Sequence, residues 1–169
     1  FFFFFFLFFF LFIFYFNVHF GKNPEHPNIL FILSDDQGPW AMNCYGTPEL
    51  ETPNLDGLAA SGIRFENFFC ASPVCSPARA SILTGQMPSQ HGVQDFLRAG
   101  NSASLPADGK TIQYLEGRTT YVEILAANGY DCGLSGKWHL GDSATPQAGF
   151  DIWNVHDTGA GDYYSSLLY

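Results

Sequence analysis

Asn28-Ile29-Leu30-Phe31-Ile32-Leu33-Ser34 is an apolar run of strand length that ends on a carboxylate pair, Asp35-Asp36. It shows no polar alternation. Such a run suits a strand buried on both faces, as in a parallel sheet covered by helices. The expectation is therefore an α/β fold with a mostly parallel central sheet flanked by helices. The acidic pair would emerge at the C-terminal end of a strand, where open α/β sheets place their ligand sites. Adjacent carboxylates repel unless something cationic joins them, and a hard divalent ion with oxygen ligands would do so. The competing reading is a solvated turn, because Asp35-Asp36-Gln37-Gly38 is good turn chemistry.

The segments that follow keep the same alternation of elements. Gly38 to Glu51 reads as a loop. Thr52-Pro53-Asn54 starts a helix that Gly62 ends, with Leu55, Leu58 and Ala59 facing the core. Ile63 to Phe68 alternates apolar and polar, which predicts a half-buried strand, and Cys70 reads as packing. Arg98 to Gly109 is polar and loop-like. A second helix runs from Thr119 or Thr120 through Asn128, with Val122, Leu125 and Ala126 on one face and Asn128-Gly129 as its stop. Tyr130 to Ser135 is the next strand, and Gly136-Lys137-Trp138-His139 projects from its end. On an extended segment Lys137 and His139, two apart, face the same side, where an ammonium and an imidazole reach one anion. Phe150 and Trp153 read as packing aromatics, and His156-Asp157 as surface loop.

Cys75-Ser76-Pro77-Ala78-Arg79 carries the distinctive chemistry. Pro77 suits the first helical position, Ala78 to Leu83 is helix-compatible, and Gly85 is a natural stop. Cys75 then sits at the positive end of a helix, with Arg79 one turn along. Such a place favours tetrahedral anions and lowers a thiol pKa. A buried cysteine beside a surface arginine is the plainer alternative. A tyrosine-phosphatase loop is excluded by spacing, because Ser81 stands where its arginine would be. In Gln86-Met87-Pro88-Ser89-Gln90-His91-Gly92, His91 reads as a structural hydrogen-bonding residue.

Composition narrows the partners. A chain of 169 residues can bury one core, and a net charge of −9 with 14% charged residues argues against nucleic-acid binding. An acidic surface also repels polyanions, so an anionic ligand would need local positive charge from Arg79, Lys137 or segments outside this sequence. The four cysteines have no metal-finger spacing and do not define a redox compartment. Residues 1–20 hold 13 of the 19 phenylalanines. They lack the basic start and cleavage site of a signal peptide, and Asn17 ends the run too early for a membrane anchor. Translation of T-rich DNA, TTT encoding Phe, is the favoured reading of this segment, with a degenerate export signal or anchor as the alternative.

Asp35-Asp36-Gln37-Gly38, the Cys75-x-Pro77-x-Arg79 motif and Gly136-Lys137-Trp138-His139-Leu140-Gly141, in this order and at these separations, resemble the N-terminal half of the type I sulfatases. The resemblance runs from about Asn28 to Phe150. It implies that residues 27–169 are the N-terminal portion of an alkaline-phosphatase-like catalytic domain, with an incomplete central sheet. It also implies that Cys75 is oxidised to formylglycine by a formylglycine-generating enzyme during maturation. Asp35, Asp36 and position 75 would contact a metal, calcium in most members with magnesium as the alternative. Arg79 would hold the formylglycine hydrate, Lys137 would bind a sulfate oxygen, and His139 would assist proton movements.

The chemistry implied is sulfate-ester hydrolysis. One hydroxyl of the hydrated aldehyde attacks sulfur and releases the alcohol. The other loses its proton and expels sulfate, which a serine, lacking a second hydroxyl, cannot do. The substrate class implied is a sulfated small molecule or carbohydrate, and the compartment is periplasmic or secreted. After Gly141 the chain holds no Asp-Asn or Asp-Gln pair and no lysine, which departs from the family pattern. The resemblance thus implies a fragment, inactive alone. The alternatives are a phosphate or phosphonate monoesterase of the same superfamily, a thiol enzyme using unmodified Cys75 with His139, and an anion-binding remnant.

Overall fold

The two strands that pair in this protein are the short β1, Gly133–Gly136, and β2, Ile152–Val155, which run parallel with Gly133 opposite Ile152 and Gly136 opposite Val155. This computed structural model describes residues 26–98, 111–156, 159, 164, 168 and 169. The Phe-rich segment 1–20, nearly all of the loop expected over 98–109, and Asp157 of the His156-Asp157 pair lie outside the described residues. The chain divides into two units, residues 1–34 and 35–169.

Four α-helices are found among the described residues: α1, Pro53–Ser61; α2, Cys75–Thr84; α3, Pro88–His91; and α4, Tyr121–Ala127. Each follows from local chemistry. Helix α4 opens with a reciprocal capping box, in which Thr120 Oγ1 accepts from the Glu123 N–H at 3.2 Å and Glu123 Oε2 accepts from the Thr120 N–H at 2.8 Å. It ends as expected at Asn128 and at Gly129, whose φ of 84° is easy only for glycine. Val122 points into the core, and Tyr130 turns back with its N–H on the Leu125 carbonyl.

The core joins residues distant in sequence. Ala80 and Leu83 of α2 cluster with Val122 of α4, Val155 of β2, and Trp138 and Leu140 of the β1–β2 crossover. Parallel strands need a long connection, because the chain must return to the same end before running forward again. Here residues 137–151 make that return without a helix. Trp138, Phe150 and Trp153 pack over it, with Trp138 edge-on to Trp153 at 5.3 Å and Phe150 at 5.4 Å from Trp153. The packing role expected of Phe150 and Trp153 holds. Trp153 also donates its Nε1–H to the Ser143 carbonyl at 2.7 Å.

Four sequence expectations need correction. The run Asn28 to Ser34 forms no strand, and Leu30 and Ile32 are 85% and 76% exposed. A doubly buried strand exists only where neighbouring strands take up its N–H and C=O groups, and the only sheet among the described residues is β1–β2. Ile63 to Phe68 also lacks a ladder, with Ile63 and Phe68 exposed. Side chains tie that segment to the loop instead: Arg64 bonds the Cys44 carbonyl and Glu66 and lies over the Tyr45 ring. Leu58 is exposed and not core. Helix α1 is held through its first turn, where Asp56 Oδ1 accepts from the Cys44 N–H at 2.9 Å and from Thr52 Oγ1 at 3.1 Å. Cys70 is exposed as well, as a free thiol.

Candidate active site

Helix α2 delivers Cys75 and Arg79. It starts at Cys75, two residues earlier than Pro77 suggests, so Pro77 occupies the third helical position. The missing proline N–H costs nothing there, because the first four helical N–H groups have no intrahelical acceptor. The first helical bond runs from the Ala78 N–H to the Val74 carbonyl at 3.0 Å. Gly85, with φ 66°, closes the helix by donating to the Ser81 carbonyl at 2.8 Å. Ser76, Ala80 and Leu83 bury one face, which leaves Cys75 and Arg79, four apart and on one side, partly open.

Three stretches far apart in sequence converge at Arg79. Its Nη2 donates to Asp35 Oδ2 at 3.0 Å and its Nη1 donates to the Lys137 carbonyl at 2.7 Å. Lys137 Nζ reaches the same Asp35 Oδ2 at 2.8 Å. Lys137 occupies this position because it is the first residue after β1. Two cations against one carboxylate leave the cluster net positive. The side chains of Arg79 and Lys137 are 13% and 20% exposed, whereas that of Asp35 is 39% exposed, so the cluster opens toward solvent at the carboxylate. The Lys137 ammonium, and behind it the Arg79 guanidinium, hold the Asp35 carboxyl below the usual aspartate value; partial burial opposes them.

His139 lies two residues past Lys137, but the segment is not extended there. Its φ is 57°, a left-handed conformation that costs a residue with a Cβ roughly 1–2 kcal/mol. That turn carries the imidazole inward, where it is buried. Nε2 lies 3.1 Å from the Leu97 carbonyl. A carbonyl only accepts, so Nε2 carries the hydrogen and Nδ1 keeps its lone pair. Nδ1 is buried without a partner among the described residues. Phe96 packs edge-on to the ring at 4.6 Å. Burial pushes the imidazole pKa down, and Lys137 and Arg79 push the same way against the Leu97 bond and Asp35. The shift favours the neutral imidazole, with Nδ1 as the nitrogen that keeps its lone pair.

Asp36 also has a left-handed backbone, φ 57°, and makes no hydrogen bond or ion pair among the described residues. Asp35, Asp36 and Cys75, expected to contact one metal, do not form a cluster able to hold an ion; no group of three or more His, Cys, Asp or Glu does so among the described residues. Calcium takes about six to eight oxygens, and Asp35 Oδ2 is already engaged by two cations. The described residues therefore do not fit a calcium ion on their own.

His91 is structural, as expected. Its Nδ1 accepts from the Val93 N–H at 3.1 Å, so Nε2 bears the hydrogen and donates to Ser81 Oγ at 3.0 Å, tying α3 to α2. Sequence reasoning missed Leu97 and Phe96 as partners of His139. A backbone carbonyl leaves no trace in residue type, and an exposed loop phenylalanine gives none that is specific.

The chain belongs to the sulfatase family, whose model matches residues 27–167. It is 42% identical over 116 residues to arylsulfatase A of Homo sapiens, covering 68% of this chain and 21% of that protein. It is 40% identical over 135 residues to the N-acetylgalactosamine-6-sulfatase of Homo sapiens, covering 77% of this chain and 25% of that protein. Among solved structures, one in complex with its substrate D-glucosamine-2-N,6-O-disulfate superposes with a TM-score of 0.66 and 34% identity, over 84% of this chain and 26% of that one. The chain therefore spans between a fifth and about a quarter of the length of these relatives.

Proposed function

We propose that this chain carries the nucleophile-bearing part of a sulfuric-ester hydrolase acting on a sulfated carbohydrate or similar small sulfate ester, in a periplasmic or secreted setting. The observation that supports it most is the junction of Arg79, Asp35 and Lys137 in a chain whose Cys75 opens the same helix as Arg79. A formylglycine at position 75 would supply a nucleophilic hydroxyl and a second hydroxyl for expelling sulfate. Arg79 and Lys137 place positive charge where sulfuryl oxygens gain negative charge, and Asp35 holds both cations in place. His139, buried with Nε2 on the Leu97 carbonyl, has at Nδ1 a lone pair placed to accept a proton. Asp35, Asp36 and Cys75 as metal ligands remain part of the proposal on the strength of the family resemblance, and the shell would need oxygens beyond those described. The sugar is suggested by two of these relatives, one named an N-acetylgalactosamine-6-sulfatase and one solved with D-glucosamine-2-N,6-O-disulfate.

The test is hydrolysis of an aryl sulfate and an aryl phosphate by the protein carrying this sequence, co-produced with a formylglycine-generating enzyme. Mass spectrometry of the peptide spanning Cys75 accompanies it. Sulfate turnover that Cys75→Ala abolishes, with the aldehyde detected at position 75, supports the proposal. Preferential phosphate turnover would transfer the assignment to a phosphomonoesterase. Turnover lost to thiol alkylation would point to an unmodified cysteine.

A further inference from the structure

Gly159 is buried and lies against the imidazole of His139. A Cβ built on Gly159 would stand 2.1 Å from His139 Cδ2 and 2.2 Å from both Cγ and Nε2. All three atoms belong to the ring, so the conflict is with the body of the imidazole and not with the free end of a flexible chain. The ring has little room to yield. Its backbone is already in the left-handed region, Nε2–H is committed to Leu97, and Phe96 is packed on it. Nε2 is among the atoms a methyl would strike, so the bond that sets the tautomer is the first to be lost. Once it is lost, Nδ1 no longer has to be the nitrogen with the free lone pair.

We propose that Gly159 is a positioning residue: its missing side chain leaves the space that keeps His139 in the Nε2–H tautomer, with Nδ1 free to accept a proton. The inference deepens the function proposed above and rests on it only where turnover is concerned. Gly159 acts entirely through the imidazole of His139.

The test uses the full protein labelled with 15N-histidine, with the His139 signals assigned through His139→Gln. At neutral pH the unsubstituted protein is expected to show a pyrrole-type Nε2 and a pyridine-type Nδ1 for His139. Gly159→Ala is expected to replace that pattern by a mixed or reversed tautomer. An unchanged spectrum overturns the proposal whether or not the protein is active. Should Gly159→Ala melt the protein, a double substitution decides. The loss of Tm caused by Gly159→Ala should largely vanish in a His139→Ala background, because the ring it strikes is gone. Equal losses in both backgrounds overturn the proposal. In an active protein, Gly159→Ala should lower kcat at least about tenfold with little change in KM, as misplacement of a reacting group does. A displaced tautomer with kcat intact would also overturn it. Absence of sulfate turnover in the unsubstituted protein would sink the hydrolase reading alone, since the spectrum and the stability cycle still decide the role of Gly159.

Discussion

Arg79 Nη2 donates to Asp35 Oδ2 at 3.0 Å across 44 residues of chain, and the guanidinium's other arm reaches the Lys137 carbonyl at 2.7 Å. One side chain therefore ties the acidic turn, the cysteine helix and the end of β1 together. Arg79→Ala should destabilise the protein by about 1–2 kcal/mol, the value of hydrogen bonds to a charged group reduced by solvent screening at the exposed carboxylate. Arg79→Lys should recover only part of this, because an ammonium lacks the planar fork that serves two acceptors in different directions. Urea unfolding of the three proteins measures both effects. If Arg79→Lys matches the unsubstituted protein, the two-armed contact has no energetic weight.

Removing Lys137 acts mainly on chemistry. Lys137→Ala should lower sulfate-ester kcat by about 100- to 1,000-fold, comparable to the loss of one preorganised donor to a developing oxyanion. Steady-state kinetics on an aryl sulfate provides the check; a change confined to KM would assign Lys137 to ground-state binding.

The depressed Asp35 carboxyl makes stability pH-dependent. Its ordinary value is 3.8, and in the fold it lies lower. The folded state therefore releases this proton more readily than the unfolded chain. The stabilisation is complete above the unfolded value and is lost as pH falls through the folded one. Tm measured between neutral pH and strong acid should drop below about pH 4, and Asp35→Asn should flatten that acid limb.

His91 contributes a second limb at milder pH. Burial lowers its pKa from 6.5, and Arg118 pushes the same way. Below 6.5 the unfolded chain takes up the proton first, so stability falls as pH drops from 6.5 toward the folded value. The geometry gives the reason, since protonating Nδ1 replaces the acceptor for the Val93 N–H with a second donor. His139 shifts in the same direction, so His91→Gln should remove only part of the limb seen in Tm between about pH 7 and pH 5.

The capping box of α4 offers a control away from the site. Thr120→Ala removes one of its two reciprocal bonds and should cost about 1 kcal/mol in denaturant unfolding. Sulfate-ester kcat should stay unchanged; a loss of activity would mean that α4 positions the site more directly than its contacts indicate.

Short stretches of chain decide some features of this protein alone. Gly85 stops α2 because glycine accepts a left-handed backbone. Thr120 and Glu123 open α4 because their side chains satisfy N–H groups only three residues away. The family motifs marked Asp35, Cys75, Arg79, Lys137 and His139 as residues to follow. The tertiary structure decided their partners. It placed Arg79 and Lys137 on one oxygen of Asp35, set the tautomer of His139 through a backbone carbonyl at Leu97, and laid Gly159 against that ring. It also left Asn28 to Ser34 and Ile63 to Phe68 without a ladder, although their patterns suit strands. Caps and turns draw on neighbours in sequence. Ladders, ion clusters and packing against a ring depend on groups from distant parts of the chain, and no local pattern encodes those distances.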